Sequence, residues 1–269
     1  MSDGDYVLGT RDDEVERLGL QHRVWRARML EGWRRAGFTV GQTILDVGAG
    51  PGFASTDLAE RVGRDGQVIA FERSPHFLAM LEARASARGI TNIMAREQDV
   101  SGSGNLGEAV AERSWCRWLL SFVGEPRRTV SHIARALKPG GIAIFHEYAD
   151  YGAWQMLPPN AEVDRFRTLV IQSWRDAGGE PDIGLFLPGW LAEEGLEIVE
   201  ARPLIDVVRR QEFTWQWPAA FMATNAARLA ELGYLEEEEA ARLATALDRA
   251  PPDALMVTPL VLEVIARRP

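Results

Sequence analysis

The sequence predicts an α/β fold in which a mostly parallel sheet carries helices on both faces. Between residues 40 and 148, short apolar segments alternate with amphipathic ones, a pattern typical of strands connected by helices. The apolar segment Ile44–Val47 runs into a turn with glycine at alternate positions, Gly48, Gly50 and Gly52. Hydrophobic residues make up 46% of the 269 residues and charged residues 26%, so the chain can bury a substantial core.

The elements of this sheet can be assigned in chain order. Residues 11–36 carry an approximate apolar stripe and are predicted to form a helix. The predicted strands are 43–47, 68–71, 92–96, one within 115–123, and 142–145. The predicted intervening helices are 53–62, 75–88 and 127–137, and Lys138–Gly141 is predicted to be a sharp turn.

The chain after residue 148 is less regular. Segments 149–190 and 209–255 are predicted to be insertions over the edge of the core sheet. A strand at 196–208, a largely helical stretch at 214–250 and a last strand at 260–267 complete the prediction. We therefore divide a single overall domain into an N-terminal helical lid (1–36), a core (37–148), a cap insertion (149–195), and the end of the sheet with a second helical cap insertion (196–269).

Charge and cysteine content narrow the function classes. The net charge of −9 argues against a general nucleic-acid surface, because binding to phosphates depends on clustered positive charge. Cys116 is the only cysteine, which excludes an internal disulfide and a multi-cysteine metal site. The sequence shows no signal-peptide pattern and no apolar run near the roughly 18 residues of a membrane span. These features predict a cytoplasmic protein without a membrane partner.

The glycine-rich turn predicts a nucleotide-like ligand. Glycine adopts backbone conformations that other residues avoid, and it lets a ligand approach the main chain closely. A strand, such a turn and a helix build a nucleotide site at the C-terminal edge of a parallel sheet. Dinucleotide sites favour G-x-G-x-x-G, but the third glycine position of that pattern holds Phe53 here.

The segment Ile44–Phe53, with Asp46 two residues before the first glycine, resembles motif I of the class I S-adenosylmethionine (SAM)-dependent methyltransferases of small-molecule type. The resemblance is strongest over residues 40–148. It implies a Rossmann-like class I methyltransferase fold, with a seven-stranded mostly parallel sheet, helices on both faces, a helical cap and an antiparallel last strand. It also implies SAM as the cofactor, S-adenosylhomocysteine (SAH) as its product, and no metal.

Acidic residues after the second and third strands match the family's adenosine contacts. Glu72 ends the second strand, where a carboxylate can accept hydrogen bonds from both ribose hydroxyls; the alternative is a solvated acid at a helix start. Asp99 resembles the residue that bonds the adenine amino group, with Val100 contacting the ring through its backbone, and the alternative is a helix or turn cap. Arg73 either flanks the adenine or is an exposed arginine.

The remaining cofactor candidates belong to the methionine end. The resemblance places Asp46 there, directly or through water; alternatively, Asp46 is a structural acid that fixes the turn. Gly48, Ala49 and Gly50 are expected to contact the cofactor through their backbone. Tyr6 and Gln21 belong to an N-terminal segment similar to one that closes over SAM in small-molecule methyltransferases.

Arg117 and His146 are the candidate catalytic residues. Arg117 follows the fourth strand at a position that resembles motif IV, and an arginine there needs either a carboxylate of the cofactor or substrate or an internal salt bridge. His146, at the end of the fifth strand, can titrate near neutral pH and is the first choice for a base; a structural histidine that caps the strand is the alternative.

The aromatic residues of the cap are the main indication of the acceptor. The candidate acceptor-binding residues are His146, Tyr148, Trp154 and Trp174. Aromatic walls suit flat or apolar ligands. The alternative is that these rings form the small core of the cap itself.

These observations predict a SAM-dependent methyltransferase (EC 2.1.1.-) of secondary metabolism. It would transfer a methyl group to an O, N or C atom of a small organic molecule, mainly through proximity and desolvation. The alternatives are a non-catalytic SAM-binding protein of the same fold, an NAD(P)-dependent oxidoreductase, against which Phe53 argues, and an RNA or protein methyltransferase. The expected partner is a small-molecule acceptor rather than nucleic acid. A homodimer is the candidate assembly, although no motif fixes the oligomeric state.

Overall fold

The computed structural model describes residues 11–102 and 104–269, so the candidate residue Tyr6 lies outside the described residues. The α-helices are α1 (Asp12–Arg35), α2 (Phe53–Val62), α3 (Pro75–Ala87), α4 (Pro126–Ala136), α5 (Ala161–Asp176), α6 (Leu187–Glu193), α7 (Gln216–Glu231) and α8 (Glu237–Ala244). The strands are β1 (Thr43–Val47), β2 (Gln67–Glu72), β3 (Ile93–Glu97), β4 (Ala111–Arg117), β5 (Leu137–Asp150), β6 (Gln155–Leu157), β7 (Glu197–Leu204), β8 (Val207–Arg209), β9 (Leu255–Val257) and β10 (Leu260–Arg267). Short 3-10 helices span Leu120–Phe122, Tyr151–Ala153, Ile183–Leu185 and Phe213–Trp215.

The main sheet has seven strands in the order β3-β2-β1-β4-β5-β10-β7. Strands β1 to β5 are parallel to one another, and β10 lies between β5 and β7, antiparallel to both. This topology confirms the predicted fold class, including the antiparallel last strand. The strand order reverses between β1 and β4, which opens a crevice at the C-terminal ends of these strands.

Helices cover both faces of the central part of the sheet. Side chains alternate between these two faces along each strand. On one face, Ile44 of β1 packs with Trp33, Phe38 and Leu58 near α1 and α2. On the other face, the neighbouring residue Leu45 belongs to the cluster that a second set of helices covers. That second set consists of α4 and α6.

The cap is a separate aromatic layer above the crevice. It consists of α5, α7 and α8 with a second, three-stranded antiparallel sheet in the order β6-β9-β8. Helix α1 contacts α7, so the N-terminal helix and the cap meet over the same edge of the main sheet. This small sheet was not predicted, because strands of three residues are too short to show a periodic pattern.

Three sequence predictions need correction. Segment 149–190 does not lie wholly over the crevice: Leu187 and Leu191 of α6 face the core of the main sheet, since residues four apart share one side of a helix. The single strand predicted at 196–208 is two strands in two different sheets, β7 and β8. The strand predicted at 142–145 is longer, because β5 pairs with β10 as far as Asp150, while residues 138–141 interrupt the pairing with β4 as the predicted turn implies.

Candidate functional site

A cleft opens at the C-terminal ends of the parallel strands, where the strand order reverses. Its walls come from the turn after β1, the ends of β2 and β4, the segments after β3 and β4, and helix α1. The polar lining residues are Gln21, Asp46, Glu72, Arg73, Ser74, Gln98, Asp99 and Arg117. The apolar lining includes Leu18, Phe53, Phe71, Trp115, Trp118, Leu119, Phe122 and Val123. Most of the predicted cofactor residues therefore share one cleft.

The turn after β1 depends on glycine at two positions for different reasons. Gly50 has a φ of +55°, and a Cβ atom added there would meet nothing within 4 Å, so the missing side chain leaves open space in the cleft. Gly52 has a φ of +80°, and a Cβ atom there would lie 2.5 Å from Cγ of Leu81 on α3. Gly50 thus exposes its main chain to a ligand, while Gly52 allows close packing between the turn and α3.

Glu72 is tied to the same turn through its carboxylate. Oε2 accepts a hydrogen bond from the Gly50 N–H at 2.8 Å, and Oε1 accepts one from the Ser74 N–H at 2.9 Å. Burial raises the pKa of Glu72, although these backbone donors favour the ionised form. Because each carboxylate oxygen has two lone pairs, the oriented group can still accept two hydroxyl donors from the cleft.

Asp99 fixes a turn and also lines the cleft. Its Oδ1 accepts hydrogen bonds from the Ser101 N–H at 2.9 Å and from the Ser101 hydroxyl at 2.7 Å, so it fixes a turn. Partial burial raises the pKa of Asp99, but the hydrogen bonds from Ser101 and the charge of Arg73 outweigh it, and the pKa lies below its usual value. Asp99 and Val100 also line the cleft, which leaves Oδ2 of Asp99 available to a ligand.

Asp46 is buried at the bottom of the cleft, 2% exposed. Its Oδ2 accepts a hydrogen bond of 2.5 Å from the Ser55 hydroxyl on α2. Burial raises the pKa of Asp46 to about 6, even though Ser55 and the charge of Arg117 favour the ionised form. The contact with Ser55 joins the end of β1 to the first turn of α2, in line with the structural interpretation, and the same carboxylate lines the cleft.

Arg117 lies at the end of β4 and lines the cleft. The carbon of its guanidinium is 5.0 Å from the ring centre of Trp118 and 5.6 Å from that of Trp115. Nη1 is 3.9 Å from the sulfur of Met29. Burial lowers the pKa of Arg117 to about 10, and the nearby Asp46 opposes this effect.

Gln21 lines the cleft from helix α1, but its side-chain oxygen is already used. Oε1 accepts hydrogen bonds from Nη1 of Arg17 at 2.9 Å and from the indole N–H of Trp217 at 3.1 Å. Since Trp217 belongs to α7, Gln21 links the N-terminal helix to the cap. It therefore helps to hold the two layers together over the cleft.

His146 does not line the cleft, so the base role predicted for it lacks a geometric basis in this structure. The ring is fully buried, and its Nε2 is 2.8 Å from Oε2 of Glu263 on β10. Burial lowers the pKa of His146. The sequence placed the histidine at a strand end, but β5 continues four residues further and leaves His146 inside the sheet, packed against Trp115 and Trp25.

The other predicted acceptor residues also lie behind the cleft wall. Trp154 is fully buried, and its indole N–H points to the sulfur of Met256 at 3.1 Å, as expected for a residue of the cap core. Tyr148 stacks behind Trp118 at 5.6 Å between ring centres, and Trp174 packs edge-on against Phe122 at 4.6 Å. These residues support the wall instead of forming it.

Trp118 and Phe122 are among the lining residues that the sequence prediction missed. They follow β4 in a short segment whose fold is not periodic, and Trp118 has a φ of +49°, which is unusual for a bulky residue. The segment is held by Glu147, whose Oε1 accepts hydrogen bonds from the N–H groups of Leu119 and Leu120, both at 2.9 Å. Burial raises the pKa of Glu147 to about 7, against these hydrogen bonds.

Within 11–102 and 104–269, no group of three or more His, Cys, Asp or Glu side chains is arranged to hold a metal ion. In the same part of the chain, no helix combines the length and the apolar character required to cross a membrane.

Comparison with known proteins connects this cleft to a family. Residues 44–141 match the family model described as a methyltransferase domain. Demethylmenaquinone methyltransferase from Symbiobacterium thermophilum is 30% identical over 51% of this chain and 56% of its own length. The chain spans 30% to 60% of the length of the first curated relatives that it matches.

Two solved structures illustrate the shared fold. Coclaurine N-methyltransferase, solved with N-methylheliamine and SAH, is 16% identical, has a TM-score of 0.58, and is matched over 90% of this chain and 72% of its own. The [4+2]-cyclase SpnF is 22% identical, has a TM-score of 0.56, and is matched over 88% of this chain and 78% of its own. Proteins of this fold therefore carry names of more than one reaction, and the cleft itself has to support any assignment.

Proposed function

We propose that this chain, which belongs by its fold and its matched domain to the class I SAM-dependent methyltransferases, transfers the methyl group of SAM to a small organic acceptor. SAM is the cofactor of this family. The observation that carries the proposal is the hydrogen bond from the Gly50 N–H to the Glu72 carboxylate, beside the open space at Gly50. This hydrogen bond orients a carboxylate next to main chain that a ligand can approach. A ribose and the chain attached to it would need both features.

The half of the cleft around β1, β2 and β3 fits the adenosine of SAM. Glu72 would accept hydrogen bonds from the ribose hydroxyls, and Asp99 would accept one from the adenine amino group. Arg73 and Val100 would flank the ring, since both line the same wall. The Gly48 and Ala49 N–H groups already donate to the carbonyl of Phe71, so these residues would contact the cofactor by close packing of the main chain.

The other half of the cleft fits an apolar or flat acceptor. Leu18 of α1 and Trp118, Phe122 and Val123 after β4 form a wall with few polar atoms. Aromatic walls bind such ligands through dispersion and exclude water from the site. Bound SAM would supply a methyl group attached to a sulfonium sulfur, which is a good leaving group. Positioning of the ligands and exclusion of water would therefore account for much of the catalysis.

No histidine is among the lining residues of the described chain. Residues of this cleft would therefore accelerate the reaction chiefly by orientation of the two ligands.

The proposal also includes cytoplasmic location, a role in secondary metabolism and a homodimer, which rest on the sequence features alone. Methylation at O, N or C is part of the same proposal.

Calorimetric titration of the purified chain tests the function directly. SAM and SAH should bind with saturable heat, and NADH should not. The SAM-loaded protein should then release SAH when it is offered phenols, aromatic acids or amines. Absence of SAM binding would refute the assignment, and binding without SAH release from any acceptor would favour the non-catalytic alternative.

A further inference from the structure

We propose that Arg117 is the carboxylate-binding residue of the cleft, which pairs with a carboxylate of the methionine part of SAM or of the methyl acceptor. The inference rests on the proposed function, because it assumes that both ligands occupy this cleft. It assigns a partner to a charge that the fold itself leaves without one.

The guanidinium of Arg117 has no carboxylate within salt-bridge distance among residues 11–102 and 104–269. The buried Arg17 and Arg113, which is half-buried like Arg117, have oxygen partners within the protein. Arg17 forms two hydrogen bonds of 2.7 and 2.6 Å with Glu14. Arg113, four residues earlier on β4, donates to the carbonyls of Ala36 and Glu112 at 2.9 and 2.7 Å. For Arg117, the surroundings are the sulfur of Met29 and two indole rings.

A charge in such surroundings destabilises the folded protein unless something compensates for its lost hydration. Asp46 affects the pKa of Arg117 but forms its short hydrogen bond with Ser55 instead. Arginine binds carboxylates through two parallel N–H donors, which makes a carboxylate the most suitable ligand group. A ligand anion would supply the missing countercharge.

The next residue provides an independent observation. The indole N–H of Trp118 is buried and has no hydrogen-bond partner, although Trp118 lines the cleft. Its backbone is held in the left-handed region, with the Trp118 N–H donating to the carbonyl of His146 at 2.9 Å. Strained residues of this kind persist where the surrounding structure fixes them and are common at ligand sites. The strained Trp118 therefore lies directly beside the Arg117 guanidinium in the wall of the cleft.

If the carboxylate belongs to the acceptor, its own oxygen can be the nucleophile. That oxygen would form a bond to the methyl carbon while the carbon–sulfur bond breaks and its electron pair stays on sulfur. The products are a neutral methyl ester and SAH. No proton is removed in this step, which agrees with a cleft whose described lining has no histidine.

The experiment compares R117Q with R113Q as the matched control on the same strand. SAH and 5′-methylthioadenosine, which lacks the amino-acid part, are titrated into wild type and both variants. Benzoate and indole-3-acetate, with their amides as neutral controls, are then titrated into the SAH complexes. Thermal unfolding of each unliganded variant is measured in parallel.

If SAM supplies the carboxylate, R117Q weakens SAH binding by about tenfold or more and leaves 5′-methylthioadenosine binding within about twofold. If the acceptor supplies it, SAH binding is kept, and R117Q loses a preference for the acids over their amides that the wild type shows. In both cases unliganded R117Q melts no lower than the wild type, whereas R113Q melts lower.

The inference is wrong if R117Q retains SAH affinity and no preference for the acids exists in the wild type. It is also wrong if R117Q destabilises the protein as R113Q does without changing either kind of binding. Failure of the wild type to bind SAH at all would instead refute the proposed function, so the two failures can be told apart.

Discussion

The two halves of the cleft are held in place in different ways. One half lies around β1, β2 and β3, and the other, the aromatic half, lies around β4, α1 and the cap. In the first, Glu72 and Asp99 are each held by hydrogen bonds from residues within their own turns or the glycine turn. In the second, the wall consists of aromatic rings and Arg117, and its supports come from far along the chain. The first half is oriented by local backbone chemistry, and the second by packing between layers.

This difference predicts how each half responds to substitution. A locally held carboxylate can be removed with a large loss of binding and a small effect on folding. The supports of the aromatic wall are buried in the core, so their loss should appear first as lower stability. Variants in each half can therefore be compared by their loss of SAH binding and their loss of stability.

Replacement of Glu72 by alanine should weaken SAH binding by at least about 100-fold, because two charge-assisted hydrogen bonds are lost at about 1.5–3 kcal/mol each. Glu97 provides the matched control, since it pairs in register with Glu72 at the end of β3 but is exposed. Calorimetry should find E97A unchanged. Retained affinity in E72A would place the ribose elsewhere and remove the contrast between the two halves.

Glu147 should make the aromatic half sensitive to pH. Its pKa is raised to about 7 in the folded protein from a reference of 4.5, so the folded state holds the proton more tightly than the unfolded state. The free energy of unfolding should therefore fall as pH rises from 4.5 to 7, by up to about 1.4 kcal/mol per pH unit. Denaturant unfolding of E147Q across this range should remove the part of the slope that Glu147 contributes, while Asp46, whose pKa burial raises to about 6, still contributes its own part.

The comparison for Glu147 uses the difference between wild type and variant, because Asp46 and Glu72, whose pKa values burial raises, contribute in the same direction. The exposed Glu238 supplies the control, and E238Q should follow the wild-type curve. A slope in E147Q as steep as that of the wild type would show that Glu147 is not responsible for it.

Substitution of His146 should change the stability of the fold but not ligand binding in the half of the cleft around β1, β2 and β3. In H146Q, loss of the buried contact with Glu263 should lower the free energy of unfolding by about 2 kcal/mol. SAH affinity should stay within about twofold, because His146 does not line the cleft. H76Q alters an exposed histidine and should change neither quantity. A loss of SAH affinity of more than about tenfold in H146Q would show that His146 contributes to ligand binding after all.

The smallest effect is expected at the link between α1 and the cap. W217F removes the hydrogen bond to Gln21 while keeping an aromatic ring, and should lower the free energy of unfolding by about 1 kcal/mol. W190F provides the control, because Trp190 stacks on Phe186 away from the cleft. Thermal unfolding distinguishes them: equal melting temperatures in both variants would mean that the Gln21 contact contributes nothing measurable.

The amino-acid sequence predicts the core of the main sheet and places Gly50, Glu72 and Asp99 in the half of the cleft around β1, β2 and β3. Strand ends there are marked by short-range signals: apolar runs of fixed length, glycines with a positive φ, and an acid within two residues of the end of each strand. Gly50, Glu72 and Asp99 carry their chemistry within a few residues of the strand that positions them, so the alternation of strands and helices is enough to locate them.

The half of the cleft around β4, α1 and the cap depends on contacts between residues that are distant in the chain. Trp118 and Phe122 reach the cleft because Glu147, 27 and 28 residues after Leu120 and Leu119, holds their segment, and Gln21 meets Trp217 across 196 residues. Whether His146 or Trp154 lines a ligand or a core depends on where β5 ends and how the cap packs. An aromatic residue has the same local pattern in both environments, since burial is set by partners that are distant in the chain.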